Sequence, residues 1–164
     1  MNKKEELQYA RVFVKWLNER WGFDYSVHPN LDEARKDTEI DVYAWGGRDL
    51  PRLGLQISNS EDEFEKEGLT SEEWILRRIR IKEARYSTEA KRSLILLIKK
   101  DIEPAVDERS LKRFFETLAS DFRGIYVVHL PLFESGLLHE PRIITIKEPE
   151  FKELWHGQAV QKGQ

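Results

Sequence analysis

Two acids, an amide and a hydroxyl fall at spacings that matter once the chain has one helix and three strands to carry them. Glu6 shares a helical stripe with Ala10, Phe13 and Leu17, which turns a carboxylate toward the core side of a first helix. A plain structural role is also open to it: in a first turn an acid complements the helix dipole by about 0.3–1 kcal/mol. Asp41 alternates with Ile40, Val42 and Ala44; these supply a buried strand face and leave Asp41 on the other with Glu39 and Tyr43. Taken alone, Asp41 reads better as a solvated acid. Gln56 and Ser58 stand two apart on a further strand and share a face, and a hairpin between Asp41 and Gln56 sets the acid beside the amide. These are oxygen donors. The chain has no cysteine, so disulfides, thiolate catalysis and cysteine-ligated metal are excluded, and any metal must be held by oxygen or histidine. His28, His129, His139 and His156 show neither metal-ligand spacing nor a paired nucleophile. A phosphate-binding loop and a dinucleotide fingerprint are missing too.

The elements that must position these groups follow from periodicity. Leu7, Ala10, Phe13, Val14, Leu17 and Trp21 mark a helix over residues 5–21, stopped by Gly22. Phe23, Tyr25 and Val27 alternate with Asp24, Ser26 and His28 in a first strand. Residues 40–45 form a second, and the turn residues Gly46, Gly47 and Asp49 to Pro51 lead to a third over residues 53–58. Thr70 and Glu73 form a capping box that opens a helix running to about Tyr86. Residues 93–99 and 125–130 read as strands buried on both faces, with a helix between them that Gly124 ends. Residues 142–147 make an edge strand, and Phe151, Leu154 and Trp155 a short docking helix before a polar tail over residues 156–164. The fold class is therefore α/β: a single mixed sheet, an antiparallel three-strand meander continued by parallel strands, flanked by helices. A chain of 164 residues suits one domain, residues 1–155, that buries roughly 70% of its unfolded surface.

The formal charge of −3 argues against a broad basic surface, but it averages two opposed segments. Residues 61–67 carry a net −4, and residues 68–100 a net +5 that includes Arg77, Arg78, Arg80, Lys82 and Arg85. The basic helix reads as a solvated face or as a track for phosphates; five phosphate contacts give log K a slope of about −4.5 against log salt. The acidic loop reads as a docking feature for a protein partner. Trp16, Trp21, Trp45, Trp74 and Trp155 read as core and edge packing rather than base-stacking platforms. No apolar run approaches the ~20 residues of a membrane span, and the start lacks a signal peptide's apolar stretch, so a soluble cytoplasmic protein is expected.

A helical Glu6 before Trp21, Gly22 and Phe23, then Glu39, Ile40 and Asp41 on a strand, then Gln56 and Ser58 on the next, resembles the restriction-endonuclease-like superfamily written PD-(D/E)XK. The pattern is most similar to its Mrr-type endonuclease and Holliday-junction-resolvase branch. The match covers residues 6–58, and the element order continues it to about residue 130. The resemblance implies Mg²⁺ or Mn²⁺ held by Glu6, Asp41, Gln56 and the carbonyl of Ile57, with hydrolysis of DNA phosphodiesters in duplex or branched substrates. It also implies a homodimer. The family places a lysine where this chain has Ser58, and losing such a charge costs on the order of 10²–10³ in rate. Lys82, flanking the Ile75, Ile79 and Tyr86 stripe of the next helix, reads first as a snorkelling surface lysine and is also the candidate for a replacement ammonium. Ser58 in place of the lysine and the acidic loop 61–67 imply a weak or degenerate hydrolase, and the alternative for the whole chain is a non-catalytic protein-interaction domain that keeps the fold.

Overall fold

In the computed structural model the described residues are 3–29, 40–47, 49–58, 68–100, 107–129 and 141–150. Helix α1 (Lys3–Trp21) buries Ala10, Phe13, Val14 and Leu17 along the expected stripe. It stops where Gly22, at φ +70°, donates its N–H to the Asn18 carbonyl at 2.6 Å; only glycine adopts that backbone freely. Strands β1 (Ser26–Pro29), β2 (Val42–Trp45) and β3 (Leu53–Ser58) form the meander. Then follow α2 (Ser71–Arg85), a short α3 (Thr88–Arg92), β4 (Leu94–Lys100), α4 (Glu108–Phe114), β5 (Gly124–His129) and β6 (Arg142–Lys147).

One mixed six-stranded sheet results, in the order β1-β2-β3-β4-β5-β6. The β1–β2 and β2–β3 pairs are antiparallel, β3–β4 and β4–β5 parallel, and β6 closes the far edge antiparallel to β5. The parallel pairs need crossovers, and α2 with α3, then α4, supply them. Leu55, Ile57, Ile95, Leu97 and Val128 turn toward α1, while Leu94, Leu96, Ile98, Ile125 and Val127 pack beneath α2 and α4. Both faces of the central strands are thus covered, which is why they read as continuous apolar runs. Thr70 accepts from the Glu73 N–H at 3.2 Å and Glu73 Oε1 accepts from the Thr70 N–H at 3.4 Å, so the capping box is formed. Among the described residues no helix is long and apolar enough to cross a membrane.

Four local expectations change. The first strand begins at Ser26 rather than Phe23, because the Asn18 side chain takes both backbone groups of Tyr25, at 2.9 and 3.0 Å, in place of a neighbouring strand. The second begins at Val42 rather than Ile40, and Ile40 packs with the core beneath α2 while Val42 and Ala44 join the core beneath α1. The helix before Gly124 ends ten residues early, at Phe114; the chain turns away, and Lys147 on β6 donates to the Ser120 carbonyl at 2.6 Å. Helix α3, five residues capped by Ser87 Oγ accepting from the Ala90 N–H, is too short to show a period. The acidic loop 61–67, the docking helix at 151–155 and the tail 156–164 lie outside the described residues.

Candidate functional site

Asp41 sits where the β2–β3 ladder breaks. Its N–H donates to the Leu55 carbonyl at 3.0 Å, and its carboxylate oxygen Oδ2 accepts the Ile57 N–H at 2.9 Å, so the acid brackets Gln56 from both sides. The side chain replaces a backbone carbonyl in the ladder. Burial raises the Asp41 carboxyl above its ordinary pKa, opposed by the Ile57 N–H and by the positive charge of Lys82.

Gln56 and Ser58 alternate with Leu55 and Ile57 and therefore lie on the α2 side of β3, level with Leu96 and Ile98 of β4. Both are buried, Gln56 to 7% and Ser58 to 1% exposure. The Gln56 Oε1 and Ser58 Oγ atoms have no hydrogen-bond partner among the described residues. A buried polar atom left unpaired costs about 1–3 kcal/mol, so two of them two residues apart on one strand make this face of β3 a candidate site.

Lys82 approaches from α2. Burial lowers its ammonium from the ordinary value, as does Arg85; the charges of Asp41 and Glu6 pull it back up, against Arg78. Lys82 thus lies within electrostatic reach of both acids, one on α1 and one at the head of β2. Its ammonium also stands 5.9 Å from the Tyr86 ring. Glu6, half-buried in the first turn of α1, contributes its charge to this group, whereas its neighbour Glu5 goes to Lys99 Nζ at 3.9 Å. Ile57 lends its N–H to Asp41, and its side chain belongs to the core beneath α1.

The basic residues of α2 divide by flank. Arg78, Lys82 and Arg85 recur at helical spacing and act on one another's charge; Arg77 and Arg80 are exposed on the outer side, lining a groove with Leu76 and Ile81. Arg78 is only 6% exposed, with its guanidinium 5.9 Å from the Trp74 ring, which corrects its assignment to an exposed phosphate-binding face. Lys99 was legible only as one charge in a basic segment. It is a buried lysine on the α1 side of β4, 5.3 Å from the Tyr9 ring, and the signal for it was a lysine at an inward-alternating position of a core strand.

Among the described residues no three His, Asp or Glu side chains gather as a metal-binding group. Asp41 engages the backbone of Ile57, the residue after Gln56, and Glu6 shares with Asp41 the electrostatic reach of Lys82. The Gln56 oxygen, unpartnered among the described residues, is of the kind that suits a hard cation, which takes oxygen ligands and accepts an amide among them. Comparison with protein-family models, with curated proteins and with solved structures finds no match to this chain.

Proposed function

We propose that this protein is a divalent-metal-dependent hydrolase of DNA phosphodiesters, on a restriction-endonuclease-like plan, in which Lys82 stands in for the lysine absent at position 58. The observation that carries this reading is the electrostatic reach of one half-buried ammonium to two carboxylates from different elements, with a buried amide oxygen on β3 unpartnered among the described residues. The order of helix, three-strand meander, helix and parallel strand agrees with it.

Mg²⁺ or Mn²⁺ would be held by Asp41 and Gln56, with Glu6 and the Ile57 carbonyl completing an oxygen set, and when bound it supplies water activation and neutralises charge on the phosphate. The Ile57 N–H orients the Asp41 carboxylate. Gln56 contributes its amide oxygen from a rigid, fully buried strand. Lys82 offers positive charge where a phosphate would gain negative charge, and Arg85 extends that charge toward solvent. Ser58 offers a hydroxyl without charge.

Calorimetric titration with Mn²⁺ and Mg²⁺ tests the reading. Wild type binds and Asp41→Ala does not; metal binding that survives Asp41→Ala would remove the catalytic site. A non-catalytic interaction domain draws on a different observation, the exposed apolar side chains Ile81 and Phe114 on α2 and α4. That reading expects no metal-dependent cleavage by the wild type at all.

A further inference from the structure

The α2 side of the β1–β2 hairpin is not part of either core. Val27, Val42 and Ala44 pack with α1, so alternation sends Ser26, His28, Tyr43 and Trp45 to the opposite side, and no residue of β1 or β2 joins the core beneath α2 and α4. Of the four described tryptophans only Trp45 is exposed, at 45%. The His28 imidazole stacks on it with ring centroids 4.4 Å apart and planes inclined by 27°. Ser26 Oγ lies 3.1 Å from His28 Nε2 and donates to the Trp45 carbonyl at 3.4 Å, which fixes the pair from the neighbouring strand. One step along β2, the exposed Arg52 holds its guanidinium 4.6 Å above the Tyr43 ring.

Cross-strand aromatic pairs stabilise hairpins by about 0.2–1 kcal/mol, and that alone explains a covered pair. It does not explain an indole left nearly half open, nor an arginine held over the adjacent ring. Trp45 and Tyr43 are about 7 Å apart along the strand, and Asp41 heads the same strand about 7 Å further on. Rings and a guanidinium plane in file, ending at an acid beside Lys82, have the chemistry of a base-stacking track leading to a phosphodiester site. The acids of the adjoining turn region are Asp24, whose Oδ1 is engaged by the Gly47 N–H at 2.9 Å, and Asp49.

We propose that Trp45, His28, Tyr43 and Arg52 form a stacking platform for unpaired bases of DNA, and that the substrate of the Asp41–Lys82 site carries a single-stranded segment. The second half rests on the function proposed above; the first half stands on the platform itself. Stacking selects single strands because a base within a duplex already has both faces covered, whereas every unpaired base has one to offer.

The test is fluorescence anisotropy of a labelled oligothymidylate, measured at low salt in EDTA so that no cleavage occurs, against a duplex of the same length. Wild type binds the single strand more tightly than the duplex. Trp45→Ala and Arg52→Ala each weaken that binding about five- to hundredfold. Trp45→Phe retains most of it, and Phe114→Ala, an exposed ring on α4, leaves it unchanged. Equal affinity for both forms, or full affinity in Trp45→Ala, overturns the platform. A protein that cleaves duplex DNA without single-strand preference also overturns it while keeping the proposed activity. One that binds single strands through Trp45 yet cleaves nothing keeps the platform and removes the hydrolase.

Discussion

Strand β4 and the β2–β3 margin handle polar groups in opposite ways. In β4 the backbone ladder is continuous over five paired residues on one side and six on the other, and side chains from Leu94 to Ile98 are apolar on both faces. At the margin the ladder breaks at Asp41, an acid takes a backbone's place, and Gln56 and Ser58 keep buried oxygens without partners. Strand β4 is arranged for stability, whereas the neighbouring β5 also buries an oxygen, Tyr126 Oη, without a hydrogen-bond partner among the described residues. The margin tolerates unsatisfied groups that a purely structural strand would replace with valine or leucine, and it does so where an ammonium and two carboxylates come within reach of each other. Strain of this kind beside clustered charge is the physical mark of a site.

Removing charge from the margin is expected to have the largest effect. Lys82→Ala should lower cleavage of a DNA substrate by about 10²–10³ with little change in thermal midpoint. Placing Ser58→Lys in that background should recover part of the loss, limited by the space available to a buried position; no recovery in a folded double variant would separate the two residues' roles. Next comes strand β4. Leu96→Ala, fully buried beneath α2, should cost about 3 kcal/mol in urea unfolding and leave the metal affinity intact. Thr70→Ala removes one half of the capping box and should cost about 1 kcal/mol. A loss near zero would mean that packing alone holds the start of α2.

The smallest effect carries an informative sign. Because burial raises the Asp41 carboxyl, the native state binds its proton more readily than the unfolded chain does, and wild-type stability falls as pH rises from the unfolded pKa through the native one. Asp41→Asn keeps an oxygen for the Ile57 N–H and removes the charge. Its stability advantage over wild type should therefore appear on going from acid to neutral pH, and differential scanning calorimetry across that range reads it. A constant difference at all pH values would show that the charge is not what burial penalises.

Element types were readable because burial imposes a period. Leu94 to Ile98 had to be a strand covered on both faces, and Ala10, Phe13, Val14 and Leu17 had to lie on one side of a helix. The shortened strands were not readable, because Asn18 and Asp41 each divert backbone hydrogen bonds through a side chain, and sequence period carries no information on such exchanges. Trp45 shows the same limit from another side: the sequence reads as core or edge packing there, and only the absence of α2 over that part of the sheet left the indole 45% exposed.

The sequence by itself determined the six strands, the order of crossovers, and the exclusion of cysteine from any metal site, since these depend on local periodicity, chain length between strands and residue inventory. The sequence pointed to Lys82 among the five cations of α2, and the tertiary structure decided that it lies within electrostatic reach of the acids. Helical spacing puts Arg78, Lys82 and Arg85 on one flank, but only the packing of Ile75 and Ile79 onto the sheet turns that flank toward Asp41 rather than toward water. A charge becomes part of a site through its distance to other charges, and that distance is set by how the helix lies on the sheet.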